Sequence, residues 1–354
     1  MNPQVSIIIL NWNGWEDTLE CLESLYQINY PNYNVVLIDN GSKDESIEKI
    51  NEYCNEKIEV NSKFFKYSSE NKPIEVFEIS EKDARNNEFL KKEEFLKSKN
   101  DKKLLLIKNE DNYGFAGGNN VGMKFAIECL NSDYVLLLNN DTVVDENFLT
   151  EMVKVSETDE KIGIVGPKVY LYSEPNKIQT AGIKIRNEIA GIKNVMNYTM
   201  VGYFEVDVGK YDFIKKVDSL VGCCILVKTK PIKEIGQMDE EFFLYHEESD
   251  WLYRLSRKYS RYYTPFSKIW HKYSASSGGE YSPLVIYYTT RNSILYAKKH
   301  NNFINYLLFL SWLLTYNHGR RFVNYVFLQR KYYLLMHFYN GIWDGIVGKY
   351  GIRN

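Results

Sequence analysis

Val5-Ser-Ile-Ile-Ile-Leu10, followed at once by Asn11-Trp-Asn-Gly14, is a β-branched apolar run closed by a polar, glycine-containing turn, the pattern of a strand buried on both faces. Outward from it the pattern repeats. A helix comes next, with Leu19, Leu22 and Leu25 on one face and Glu20 and Glu23 on the other. Then come Asn34-Val-Val-Leu-Ile-Asp39, the turn Asn40-Gly-Ser-Lys-Asp44 and a helix over Glu45 to Cys54. Strand, helix, strand, helix at this spacing predicts a mostly parallel α/β sheet flanked by helices. Lys103-Leu-Leu-Leu-Ile107 and Tyr134-Val-Leu-Leu-Leu138 continue the sheet. Between them the loop Asn109 to Asn120 leads into a helix containing Met123, Phe125 and Ile127, and a further helix runs through Phe148 to Val155. The second half, from Gly163-Ile-Val-Gly166, is less regular, with β-like stretches near Ile183 to Ile192, Leu220 to Val227 and Tyr262 to Ile269. An amphipathic helix opens within Phe242 to Trp251, and aromatic helices fill the chain from Leu284 on.

The segment Lys63 to Lys103 breaks the pattern. It is dense in charge of both signs and weak in periodicity, which predicts a surface insertion, partly helical around Glu88 to Lys97, with Val76 to Ile79 as a short strand. The domain reading is therefore a catalytic body over 1–280 carrying the insertion 63–103, and a C-terminal helical region over 281–354.

Charge divides along the same line. From Tyr281 onward there are nine Lys/Arg and one acid, Asp344, while the first 280 residues carry 35 basic and 45 acidic side chains. An acidic body argues against nucleic acid as partner, and a basic, aromatic tail suits an anionic membrane surface. The 29 Tyr and 18 Phe imply stacking surfaces or an interface, including one with a second copy of the chain. Five cysteines without CxxC spacing disfavour a disulfide framework and fit a reducing compartment. The N-terminus runs into a strand without the basic and cleavage features of a signal peptide. The expectation is a cytoplasmic protein, peripheral on the cytosolic face of the cell membrane.

Asp39 and Asp141 each follow a buried strand, at the sheet edge where open α/β folds bind ligands. There an aspartate can accept hydrogen bonds from a nucleoside or ligate a hard cation; it is equally a common turn-former. The stretch Asn112-Tyr-Gly-Phe-Ala-Gly-Gly-Asn-Asn120 has three glycines ahead of the expected helix start, which would allow close backbone approach to an anion or sugar at Asn112, Gly117, Gly118 and Asn119. It is neither GxGxxG nor a P-loop, which sets aside a dinucleotide oxidoreductase. Asn11-Trp-Asn-Gly14 lacks the Lys or Arg a nucleotidyltransferase loop would carry.

Val5 to Asn13, Ile38 to Asp44, Asn112 to Asn120, Asn139-Asn-Asp141 and Phe243-Leu-Tyr-His-Glu-Glu-Ser-Asp-Trp251, in this order, resemble the motifs of family 2 glycosyltransferases, most of all their rhamnosyltransferase-like branch. The resemblance spans roughly 4–60 and 104–300. It implies a GT-A-type fold for nucleotide-diphospho-sugar transfer with a C-terminal helical extension. By it, Asp39 binds the donor's base or ribose with help from Asn11 and Asn13. Asn139-Asn140-Asp141 stands at the family's Asp-x-Asp motif with its first acid replaced, so Asp141 is the main carboxylate on Mg²⁺ or Mn²⁺. His271, in Trp270-His-Lys-Tyr-Ser-Ala-Ser-Ser277, matches a histidine that completes the metal site. Glu247-Glu248 matches the acidic pair that supplies the catalytic base, with Asp250 beside it.

The chemistry explains these residue types. A divalent cation stabilises the departing diphosphate. An alcohol acceptor is a poor nucleophile until a carboxylate takes its proton. Direct attack opposite the leaving group inverts the anomeric carbon. The implied partners are a UDP- or dTDP-sugar and a glycan or lipid-linked saccharide. The other reading is a nucleotide-sugar-binding protein with a degenerate site, which Asn139 favours.

Overall fold

An eleven-stranded sheet forms the centre of the molecule, and the computed structural model describes residues 2–189, 192–272 and 281–353. Its first strands are β1 (Val5–Asn11), β2 (Tyr33–Asp39), β3 (Glu75–Ser80), β4 (Lys103–Lys108), β5 (Tyr134–Asn139) and β6 (Thr142–Val144). There follow β7 (Ile162–Leu171), β8 (Ile178–Thr180), the separate hairpin β9 (Ile183–Ile189) and β10 (Ile192–Met200), β11 (Lys215–Lys216), β12 (Cys224–Lys228) and β13 (Ser260–His271). In space the order is β11-β13-β7-β12-β5-β1-β2-β4-β3, with β6 on β13 and β8 on β7. The helices are α1 (Trp15–Leu25), α2 (Ser46–Cys54), α3 (Glu81–Asn86), α4 (Lys92–Lys97), α5 (Gly114–Glu128), α6 (Phe148–Ser156), α7 (Thr229–Ile235), α8 (Glu247–Leu255), α9 (Pro283–His300), α10 (Phe303–Trp312), α11 (His318–Val323) and α12 (Leu334–Val347). The expected boundary at 280 and the residues 273–277 of the motif around His271 lie outside the described residues, as do Ala190 and Gly191 within the expected Ile183 to Ile192 stretch.

The apolar runs become central strands because both faces are covered. Val5, Ile7 and Ile9 pack with Leu19, Leu22 and Leu25 of α1 and Phe148 of α6, while Ile8, Val36 and Ile38 pack with Met123 and Phe125 of α5 and Trp251 and Leu252 of α8. β1 lies parallel between β2 and β5. The chain winds outward through β2, β4 and β3, then returns to β5 on the other side. That reversal opens a crevice at the carboxyl ends of β1 and β5, where Asn11 and Asn139 sit. β12 runs antiparallel against β5, with Cys224 opposite Leu138, so its leading residues Gly222 and Cys223 arrive at the same edge.

Two expectations need correction. The segment 63–103 carries the expected short strand and helical stretch, but both are built into the body rather than lying loosely on its surface. β3 is the edge strand of the sheet, paired in parallel with β4, and Phe77, Phe89 and Phe95 pack together and onto Phe125 of α5. Lys72 is fully buried against Glu23 at 2.9 Å, and the Tyr53 hydroxyl donates to the same carboxylate at 2.8 Å. The charges misled because they decorate the outer side of an edge strand and of two short helices. The glycine-rich stretch is likewise not a loop, since α5 already begins at Gly114.

The C-terminal helices have a core of their own, in which Ile286 and Ile294 of α9 meet Phe309, Phe338 and Ile342. α10 continues through a π turn (Leu313–Asn317) into α11, and a second π turn (Asn324–Leu328) follows. No helix of the described residues is long and apolar enough to cross a membrane.

Candidate functional site

The crevice floor is a web of short polar side chains. Asp39 is buried, its Oδ1 accepting from Asn11 Nδ2 (2.9 Å) and its Oδ2 from the Ser42 N–H (3.1 Å). Ser42 Oγ accepts the Asn13 N–H at 3.0 Å, and Asn13 Oδ1 accepts the Lys43 N–H at 2.7 Å. The Thr18 hydroxyl donates to Asn11 Oδ1 (2.8 Å) and itself accepts from Asn140 Nδ2 (3.0 Å). Asn11, Asn13, Asp39 and Asn140 are thus brought together, with the half-exposed ring of Trp12 at the rim. Ser42 and Thr18 complete the web; the sequence marks them only as ordinary turn and helix-start residues.

Asn112 touches the edge of the web, its Oδ1 accepting from Asn40 Nδ2 at 2.9 Å, while Asn40 donates its N–H to Asn11 O at 2.8 Å; Gly117, Gly118 and Asn119 lie one turn further into α5. Asn112 Oδ1 caps α5 by accepting the Gly114 N–H at 2.8 Å, and the Asn119 amide donates to its own helix at Phe115 O (2.9 Å). A Cβ on Gly118 would stand 2.5 Å from Leu10 Cδ1, and one on Gly117 2.7 Å from Tyr113 Cβ. Gly118 thus lets α5 lie close on β1, and Gly117 leaves room for Tyr113 at the start of the helix.

Asp141 and His271 do meet. β13 runs beside β6 with His271 opposite Thr142, which sets His271 Nε2 3.2 Å from Asp141 Oδ1. His271 Nδ1 faces Gln179 Oε1 at 2.9 Å, an outer contact that fixes the ring. Burial pushes the Asp141 carboxyl up, but His271, a backbone hydrogen bond and Lys272 together outweigh it and hold the group below its usual value. Asp141 Oδ1 is a buried oxygen without a well-formed hydrogen bond. Two donors on one divalent ion with bonds of about 2.1 Å stand about 3 Å apart when adjacent, so the pair has the bite of cation ligands. Among the described residues no third His, Cys, Asp or Glu joins them. The set fits a cation whose other ligands are water and substrate phosphate.

The acidic pair lies one strand away. Asn139 donates its N–H to Cys223 O at 2.9 Å, and a Cβ on the preceding Gly222 would stand 3.1 Å from Glu248 Cγ. Glu248 is half-buried and lines a cavity of about 110 Å³ with Leu220, Tyr245, His246, Thr289 and Tyr296. Burial raises its carboxyl above the ordinary value. Glu247 is buried behind it with Oε2 unpartnered, and burial followed by the charge of Glu248 raises it well above. Asp250 does not belong with the pair: its oxygens are taken by Arg254 Nε and His300 Nε2, each at 2.7 Å, which makes it a tie between α8 and α9.

The approach to α8 is held by residues that local sequence pattern did not mark. Phe243, Tyr245 and His246 all have positive φ, of 63°, 66° and 75°. Such conformations cost about 1–3 kcal/mol each unless surroundings impose them. Asn292 Nδ2 lies 2.8 Å from Phe242 O, 2.8 Å from Leu244 O and 2.7 Å from Tyr245 O. Arg291 NH2 donates to Phe242 O at 2.8 Å, and Phe115 donates its N–H to Phe243 O at 2.8 Å. Gly114 is required there, since a Cβ would meet that carbonyl oxygen at 2.3 Å.

A family model described as "Glycosyl transferase family 2" matches residues 6–72 and 88–235. Among curated proteins, the chain is 27% identical over 152 residues to the low-salt glycan biosynthesis hexosyltransferase Agl10 of Haloferax volcanii, a match covering 43% of this chain and 46% of that protein. It is 24% identical over 189 residues to the uncharacterized protein y4gI of Sinorhizobium fredii, covering 52% and 20%. The chain thus spans less than half the length of either relative. Among solved structures, the mannosyltransferase PcManGT from Pyrobaculum calidifontis, in complex with GDP-Man and Mn²⁺, is similar with TM-score 0.52 and 11% identity over 99% of this chain and 88% of that one. GalNAc-T7 with UDP, GalNAc and Mn²⁺ gives TM-score 0.54 and 15% identity over 82% and 47%. These likenesses identify the architecture as the GT-A fold.

Proposed function

The chain belongs to glycosyl transferase family 2, and from that premise we propose that it is an inverting glycosyltransferase, moving a sugar from a UDP- or dTDP-linked donor to a hydroxyl of a glycan or lipid-linked saccharide. The observation that carries this is one sheet edge bearing a polar nucleoside crevice, a carboxylate–imidazole pair with a cation's bite, and a carboxylate of raised pKa beyond Gly222. Asp39, Asn11 and Asn13 hold the nucleoside. Asp141 and His271 would hold Mg²⁺ or Mn²⁺, which would supply positive charge beside the departing diphosphate. Mn²⁺ accompanies the nucleotide ligand in both solved relatives, which supports this choice. Glu248 takes the acceptor's proton as its oxygen bonds to the anomeric carbon and the carbon–phosphate-oxygen bond breaks. Its raised pKa keeps it a stronger base than an ordinary carboxylate. Glu247, behind it, helps set its charge and position. The basic C-terminal helices rest on anionic lipid at the cytosolic face.

Donor hydrolysis and transfer, measured with a panel of nucleotide sugars with and without Mn²⁺, test the reading. Asp141→Ala is expected to abolish both turnover and the metal dependence of donor binding in a folded protein. Glu248→Gln is expected to lower transfer by about 10²–10⁴-fold with donor affinity nearly unchanged. Donor binding without turnover in the parent, under every metal and acceptor offered, would instead select the degenerate binding protein that Asn139 suggests.

A further inference from the structure

Resting on the acceptor reading above, we propose that the acceptor is a lipid-phosphate-linked saccharide whose phosphate is held by Arg321 and Arg320, in a second cavity adjoining the one that contains Glu248. Thr289 lines both cavities. The second measures about 890 Å³ and is lined by Val285, Ile286, Tyr316, Arg320, Arg321 and Leu328, among others. From Val285 to Thr289 is one turn of α9, about 6 Å along the helix. The two cavities therefore meet at Thr289, within the length of a short saccharide.

Among the described residues no carboxylate pairs with Arg320 or Arg321. Arg321 donates from Nε to Asn317 Oδ1 (2.9 Å) and from NH1 to the Tyr325 hydroxyl (2.7 Å), both neutral acceptors. Asp344, the one acid from Tyr281 onward, is engaged by the Tyr287 hydroxyl at 2.8 Å and lies 3.9 Å from Lys349. A guanidinium oriented by neutral partners, with donors left over, is suited to a phosphate. Each of the two π turns, Leu313–Asn317 and Asn324–Leu328, flanks the arginine pair, and such wide turns recur at functional sites. His246, between the arginines and the acidic pair, does not compete for the anion. Burial foremost, with the Arg321 charge assisting, holds its imidazole down to about 4.

The surroundings favour a lipid over a free glycan. Leu328, on the cavity wall, is 72% exposed, and Phe327 and Tyr332 next to it are 65% and 74% exposed. A neutral free oligosaccharide offers the cations no anion and the rim no apolar chain, whereas a prenyl phosphate offers both. The donor's own diphosphate has its place at Asp141.

Farnesyl phosphate is the probe, with farnesol and inorganic phosphate as controls, and binding is read by quenching of tryptophan fluorescence in the full chain. Saturable binding of farnesyl phosphate is expected, weakened about 10-fold or more in Arg320→Gln/Arg321→Gln and restored in Arg321→Lys on the Arg320→Gln background. Circular dichroism verifies the fold of each variant, and Arg321→Lys supplies the comparison should the glutamine variant unfold. Equal binding of farnesyl phosphate to parent and double variant would overturn the proposal. So would farnesol binding as tightly as its phosphate, which would mean an apolar surface only, or inorganic phosphate binding equally well, which would mean a free-anion site. Donor hydrolysis separates this from the transferase reading. A chain that binds the lipid phosphate but hydrolyses no nucleotide sugar keeps the site and loses the activity; the reverse result keeps the activity and loses the site.

Discussion

Glu247 puts a carboxyl with an unpartnered Oε2 behind the proposed base, and burial followed by the charge of Glu248 raises its pKa. A group whose folded pKa lies above its unfolded value stabilises the fold below the unfolded pKa, about 4.3 for glutamate, and loses that contribution as pH rises through the folded value. Glu247→Gln removes the ionisation, so this variant is expected to melt above the parent at pH 7–8, with the gap closing as pH falls toward about 4. Thermal melts across pH test it; a gap independent of pH would mean the carboxyl is not desolvated. The acidic triplet is legible as a triplet, whereas the nearness of His271 to Asp141 follows in the sequence only from the family resemblance. What could not be read was that Asp250 is neutralised by Arg254 and His300, since His300 lies fifty residues further along the chain.

Elements were read best where one face decides everything. β1, β2 and β5 are apolar on both sides, and no alternative pairing buries them as well. β3 is charged on its outer face, and so read as a mere possibility inside an insertion. α5 was shortened because glycines inside a helix cost about 1 kcal/mol each, a cost that close contact with Leu10, Ile8 and Ile38 outweighs here. The loop before α8 was invisible in its particulars, because its conformation is imposed by Arg291 and Asn292 on α9. Asn292→Ala takes the Asn292 donor from the part-buried carbonyls of Leu244 and Tyr245, while Phe242 O keeps Arg291, and lets residues 243–246 relax. Transfer is expected to fall by about tenfold or more in kcat, with donor affinity held because Asp39 and Asp141 are untouched. Asn292→Asp, which sets a carboxylate against those carbonyls, is expected to do worse. A fall in donor affinity with kcat preserved would show that Asn292 does not act through α8.

At the scale of the molecule, an acidic body carries a basic lid of helices whose outward face is apolar, with Phe303, Ile304, Trp343 and Leu328 exposed. Flotation with anionic liposomes at low salt is expected to carry the protein up, and neutral liposomes or high salt to release it, each basic residue near the surface contributing about 1 kcal/mol. No flotation on anionic vesicles would leave these helices as a packing layer. The same helices impose an order in time. Arg291, which steadies Phe242, also donates to Gly351 O at 2.5 Å, and Gly351 donates its N–H to Glu241 O at 2.9 Å. On a ribosome adding about 5–20 residues per second, the loop before α8 is made seconds before Arg291 and Asn292, and later still comes Gly351. A nascent chain can therefore assemble the crevice around Asp39 well before its acidic pair is set, so that the part proposed to recognise the donor matures ahead of the part proposed to transfer.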